Sequence, residues 1–239
     1  MPPSWLTIIA WFSLGAGFVS AVAVLLDIYV RGQRQPMRVM ETVWPITALY
    51  FGPLGWFAYL RLGRPKLPTG SDSGHDKPPE WEGAAISATH CGAGCALGDI
   101  IGEWVVFVGA LTIAGLALWP EYLADFALAY IFGIAFQYFA IKPMSAISAG
   151  EALKLAIQSD TLTIIGFEVG MFGWMALVFF VLFTQPHLEP NHPAYWLMMQ
   201  VAMVIGLLTS YPINVWLIRH GIKHAMHRPT LPPSKFTVA

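Results

Sequence analysis

Residues Thr161–Phe183 read TLTIIGFEVGMFGWMALVFFVLF, 23 residues with a single charge, Glu168. About 20 mostly apolar residues wound as a helix span the hydrocarbon of a bilayer, and only helices or closed barrels satisfy their backbone there. Five further stretches share this character: Trp5–Val30, Val43–Leu60, Cys95–Leu118, Tyr122–Ile141 and Tyr195–Ile218. None alternates polar and apolar residues as a transmembrane strand does. The reading is an all-α, polytopic transmembrane helical bundle of about six spans.

Composition agrees. Of 239 residues, 56% are apolar and 11% charged, against roughly 45–50% and about 25% in soluble proteins, and the mean hydropathy is +0.58. The formal charge is −1, so no basic excess exists for nucleic acid. Two cysteines cannot staple a small secreted domain. His-Glu-x-x-His, Gly-x-Ser-x-Gly, the phosphate-binding Gly-x-x-x-x-Gly-Lys loop and Cys-x-x-Cys-His are all missing, which excludes nucleotide and covalent haem and points away from an enzyme.

Trp5–Val30 has no Lys or Arg before its apolar run and is long for a signal peptide, so it reads as a retained span. Six spans would place both termini on one face, with Arg61, Arg64, Lys66, Lys77, Lys142, Lys154, Arg219, Lys223, Arg228 and Lys235 there and Arg31, Arg34 and Arg38 opposite. The positive-inside rule then makes both termini cytoplasmic. Four regions follow: two first spans (1–60), a Pro-, Gly- and Ser-rich cytoplasmic linker (61–83), a four-helix core (84–228) and a Pro-rich tail (229–239). Ser145–Asp160 mixes apolar and charged residues as a short interfacial helix does.

The chemistry concentrates in Thr89–Trp104, THCGAGCALGDIIGEW. On a helix Cys91, Cys95, Asp99 and Glu103 recur every four residues and form one slowly winding stripe. Acids inside a span are costly and mark a pathway or proton relay. Two thiols and the His90 imidazole suit Cu(I), or Zn(II) with a fourth ligand, provided Gly92 and Gly94 let the backbone open so that all three converge. Gly94, Gly98 and Gly102 also form a small-xxx-small packing seam, which can coexist with the site. A Cys91–Cys95 disulfide would be at the long end of allowed geometry.

Gly166 and Gly170 give the fifth stretch its own small face, which would pack on this seam and bring Glu168 and Met171 toward Asp99. Met144, beside Lys142 and Pro143, is a further thioether candidate; Met175, Met198, Met199 and Met203 read as flexible core filler. His220, His224 and His227 would share a face of a basic helix, either as a metal-loading patch or as a lipid-held segment. His75, His187 and His192 lie in Pro-rich loops and read as solvated.

Val43–Pro53 (VWPITALYFGP), Thr89–Trp104 and Tyr211–Met226 (YPINVWLIRHGIKHAM) together resemble the bacterial membrane proteins of domain-of-unknown-function family 4396. The resemblance implies a multi-pass protein of a bacterial inner membrane and no particular activity.

The expectation is therefore a membrane protein that binds a soft transition-metal ion, copper before zinc, for transport or delivery. His90, Cys91, Cys95, Met144 and Met171 are its candidate ligands, and Asp99, Glu103 and Glu168 its proton or counter-charge relay. Lipid, the ion, and a second copy or a soluble metal-delivery protein are the expected partners. Two alternatives compete: a membrane thiol oxidoreductase cycling Cys91 with Cys95, and a structural or assembly subunit.

Overall fold

The computed structural model describes residues 2–65, 79–226 and 228–229. Within them the chain forms α1 (Ser4–Tyr29), α2 (Met40–Phe51), α3 (Pro53–Ala58), α4 (Glu80–Val108), α5 (Leu118–Ile141), α6 (Ala149–Leu177) and α7 (Pro193–Arg219). A π-helical turn, Tyr59–Gly63, prolongs α3, and another, Val178–Leu182, prolongs α6. The all-helical bundle read from hydropathy is what forms. Helices α1, α4, α5, α6 and α7 are long and apolar enough to cross a membrane. Trp11, Phe12, Phe18 and Val19 on α1 are exposed, as a lipid-facing side should be.

Val43–Leu60, expected as a second span, does not make a straight crossing. Its first helix, α2, has 12 residues and reaches about 18 Å at 1.5 Å per residue, short of a ~30 Å hydrocarbon core. Gly52 then takes φ +60° and ψ −137°, a conformation open to glycine, and Pro53 starts α3 on a new heading. The chain returns beside α2. A Cβ on Gly55 would lie 2.7 Å from the Cα of Ala48, and one on Gly63 would lie 2.3 Å from the Trp44 ring. Tyr59 packs edge-on to Trp44, with centroids 5.8 Å apart. Gln35 Nε2 donates to the Gly63 carbonyl at 3.1 Å, so the return leg ends beside the loop where α2 began. The segment is a helical hairpin. Near the reversal, Gln200 Nε2 of α7 braces the last turn of α2 by donating to the Leu49 carbonyl at 3.0 Å.

Ion pairs fasten the open end of this hairpin. Arg34 makes two hydrogen bonds to Glu41, at 2.7 and 2.8 Å, and these hold its guanidinium above its ordinary pKa. Asp27, near the end of α1, accepts from Tyr59 Oη at 2.9 Å and pairs with Arg64 at 3.2 Å. Arg228 Nε donates to the Arg64 carbonyl at 2.7 Å; Met226 N donates to Ser87 Oγ at 3.2 Å; Arg219 pairs with Glu80 at 3.1 Å. The end of α1, both ends of the hairpin, the start of α4 and the end of α7 thus share one face of the bundle.

Two further expectations change. The interfacial helix expected over Ser145–Asp160 is the first half of α6: Ser148 caps it by accepting from Glu151 N at 3.2 Å, and no breaker separates it from the apolar run that follows. The basic helix expected after Arg219 does not form, because Gly221 at φ +70° ends α7 in the manner of a glycine C-cap. His220 Nδ1 turns back to the Trp216 carbonyl at 2.8 Å, His224 lies in irregular chain, and His227 lies outside the described residues. So do Lys66, Lys77, Lys235 and His75, with residues 66–78 of the linker and 230–239 of the tail.

Candidate functional site: buried carboxyls between α4, α5 and α6

Helix α4 is unbroken from Glu80 to Val108, so the four-residue spacing becomes one buried stripe. Cys91, Cys95 and Asp99 are fully buried and Glu103 is nearly so. The adjoining glycines bring α5 close. A Cβ on Gly94 would meet the Gly133 Cα at 2.7 Å, one on Gly98 the Ala129 N at 2.3 Å, and one on Gly102 the Asp125 Oδ1 at 2.2 Å. The seam reading of these glycines holds, and it has a chemical consequence: it sets Asp125 of α5 against α4.

The second small face works elsewhere. Cβ atoms on Gly166 and Gly170 would meet Ile213 and Thr209 of α7, at 2.2 and 2.3 Å, so these glycines seat α6 on α7 and not on the α4 seam. Glu168 nevertheless points where expected. Asp99 lies within electrostatic range of Glu168 and Glu103, and Asp125 within range of Glu103, Asp99 and Glu168. Glu121 of α5 lies within electrostatic range of Glu103, and Tyr195 of α7 lies beside Glu103.

These carboxyls adjoin in pairs, Glu103 beside Asp125 and Tyr195 and Glu168 beside Cys95, without hydrogen bonds of closed geometry. Both oxygens of Asp99, Asp125 and Glu168, and Oε2 of Glu103, are buried with no partner, as is Tyr195 Oη. Among the described residues no Lys, Arg or His comes within ion-pair distance of any of the five acids. Glu121 and Tyr195 also line a cavity of about 380 Å³ at the end of the bundle away from the termini of α1 and α7 that carry Tyr29 and Arg219. His187 and Glu189 of the α6–α7 loop also line it. The acids therefore run inward from an open cavity, through Glu121 and Glu103, to Asp99, Asp125 and Glu168, and end at the thiol of Cys95.

The metal-ligand candidates are only partly brought together. Cys91 and Cys95 are free thiols, with no disulfide between them, and they adjoin each other near Tyr50 of α2. Met171 is fully buried in the same apolar cluster. His90 is turned away: one residue on along a regular helix is about 100° of rotation, and its ring packs against Phe136 of α5 with centroids 6.2 Å apart. Gly92 and Gly94 do not open the helix to bring it back. The Met144 backbone closes a short 3-10 turn, Lys142–Met144, and its side chain lies outside the described atoms. Among the described residues no three His, Cys, Asp or Glu side chains assemble as a metal site.

A second polar group occupies the opposite half of the core. Lys223, carried past α7 by the Gly221 turn, inserts its ammonium between Asp160 of α6 and Asn214 of α7; it donates to Asp160 Oδ1 and, at 2.8 Å, to Asn214 Oδ1. Gln137 donates to Ser159 at 3.1 Å nearby. Asp125 could have been found by the rule that singled out Glu168, a lone acid inside an apolar run. Glu121 sits at a span end, Tyr195 looks like an interfacial aromatic, and Lys223 counts as one tail cation among several, so these carried no signal. His192 and His187 are not simply solvated: His192 caps α7 by accepting from Ala194 N at 3.1 Å, and His187 stacks on Phe179 at 3.7 Å between centroids.

No curated protein and no solved structure matches this chain. Residues 80–223, which hold α4 to α7 and every acid of the cluster, match a family described as a domain of unknown function, DUF4396. That match covers more than half of the sequence, and the protein belongs to the DUF4396 family.

Proposed function

We propose that this chain moves protons, or a cation exchanged for them, along the buried carboxyls of its transmembrane core. The observation that carries this is five adjoining acids, Asp99, Glu103, Glu121, Asp125 and Glu168, enclosed in the bundle without a basic partner. An ionised carboxylate buried alone is costly, so the cluster must take up a proton or a cation from outside. The cavity at Glu121 and Tyr195 offers the way in. Intramembrane acids facing a bundle interior are used in this way across pumps and transporters.

The test is reconstitution in liposomes loaded with a pH-sensitive dye and driven by a potassium diffusion potential. Wild type acidifies or alkalinises the lumen with the sign of the potential. Asp99→Asn and Glu168→Gln fall to the rate of empty liposomes, while Glu80→Gln, altered at the exposed pair with Arg219, keeps the wild-type rate. Equal rates in wild type, both core variants and empty liposomes would defeat the proposal.

A soft-metal cargo, copper before zinc, is the second reading, favoured by two free, buried thiols four residues apart. Cys91 and Cys95 would be its donors, with Met171 as a further candidate, and His90 would join only if α4 rotated or opened. Elemental analysis of purified wild type against Cys91→Ser and Cys95→Ser tests this; the same metal content in all three removes the cargo site and leaves the proton pathway standing.

The cell context we propose is a bacterial inner membrane. In a topology of five crossings and a re-entrant hairpin, Arg31, Arg34, Arg38, Arg61, Arg64, Lys142, Arg219 and Arg228 would share one face. The loops 109–117 and 183–192 on the other hold no Lys or Arg. The positive-inside rule makes the first face cytoplasmic, with the carboxyl terminus there and the amino terminus opposite. This topology differs from the shared cytoplasmic face expected from six spans, and under it the three arginines before α2 accord with the rule.

A further inference from the structure

The Asp160–Asn214 group is built from hard oxygen donors, unlike the thiols one helix away. Asp160 and Lys223 have no exposed side-chain surface, and Asn214 is fully buried. The pair satisfies only part of the group. Asp160 Oδ2 is buried without a partner, and so is the Thr163 hydroxyl, one turn further along α6. An i, i+3 spacing places Thr163 on the same side of the helix as Asp160. Asn214 is oriented for the role, because its Nδ2 donates to the Ser210 carbonyl at 3.0 Å and so turns Oδ1 toward the cation.

The cation itself is tethered by short, irregular chain. Lys223 follows Gly221, at φ +70°, in a segment pinned on either side by Arg219 on Glu80 and Met226 on Ser87. A four-carbon stem lets the ammonium leave without moving those anchors. Carboxylate, carboxamide and hydroxyl oxygens favour hard cations over soft ones.

We infer that Asp160, Asn214 and Thr163 form a monovalent-cation site at the cytoplasmic end of the core, held in this structure by the Lys223 ammonium as a tethered substitute for the ion. A cation arriving at the site displaces Lys223, and one leaving it is replaced, so the site is never left as a bare buried carboxylate. The inference rests on the cation-pathway reading for its purpose, but its test measures binding in detergent and not transport. Either can therefore fail alone.

The experiment compares thermal unfolding of purified wild type, Lys223→Met and Lys223→Met/Asp160→Asn in sodium or potassium chloride against N-methylglucamine chloride. With the tether gone, Lys223→Met is stabilised by the small cations, by about 3–5 °C at a concentration roughly tenfold above the dissociation constant. The double variant shows no such difference. A folded Lys223→Met that melts identically in all three salts overturns the inference. Should Lys223→Met not fold, acylation of Lys223 in wild type, followed by mass spectrometry, decides instead. Sodium or potassium must raise its labelling rate relative to N-methylglucamine while Lys154 labelling stays constant, and an unchanged Lys223 rate overturns the inference equally.

Discussion

Gly98 and Gly15 show how differently one residue type is used. A Cβ on Gly98 would sit 2.3 Å from the backbone nitrogen of Ala129, where no side chain can yield, whereas one on Gly15 meets nothing within 4 Å. Gly98→Val forces α4 and α5 apart and should lower stability by about 1–3 kcal/mol or more, as overpacking does. Gly15→Ala is expected to be neutral or to gain up to about 1 kcal/mol from helix propensity. Melting of the two variants in the same detergent checks the contrast. The acids invert the usual expectation for a buried polar residue. Asp99 has no partner to lose, so Asp99→Asn should melt within a few degrees of wild type or above it, since the cost of breaking a paired charge does not arise. A collapse of that variant would mean that Asp99 holds the fold together rather than serving transport. The stripe itself was legible, because Cys91, Cys95, Asp99 and Glu103 needed only the helical period. The direction of His90 was legible too, since a neighbour in sequence points elsewhere on any regular helix.

At the scale of elements, hydropathy found where helices run and missed where one turns back. Val43–Leu60 has the length and apolarity of a span, and a window average gives no weight to Gly52 and Pro53. The warning lay in charge: Arg31, Arg34 and Arg38 preceded a supposed span on the face that should have been poor in them. The partner of each helix was beyond reach of the sequence, because small-xxx-small faces name a surface without naming what covers it. Gly166 and Gly170 took α7 where the α4 seam was expected. If the reversal depends on Gly52, then Gly52→Ala strains a backbone at φ +60°, ψ −137° and should cost about 1–3 kcal/mol. The control is Gly150→Ala, at the open first turn of α6 with nothing within 4 Å, which should leave the melting temperature unchanged.

For the whole molecule, the topology proposed above turns on the hairpin. A six-span bundle returns the chain to its starting face; five crossings do not. The two polar groups lie toward opposite ends of the bundle. The Glu121 cavity opens toward the face without Lys or Arg, and the Lys223–Asp160–Asn214 group lies under the face that has them. The acids and thiols fall between. Reporter fusions in a bacterial host separate the two topologies. Green fluorescent protein, active only in the cytosol, should light up when fused after residue 239, and alkaline phosphatase, active only outside it, should be silent there. Fusions truncated after residue 36 and after residue 65, at either end of the hairpin, should give that same cytoplasmic pattern, and fusions after residue 112 and residue 187 the opposite one. Six spans require residues 36 and 65 to disagree. The comparison is therefore decisive at the hairpin itself, whatever the ends of the chain do.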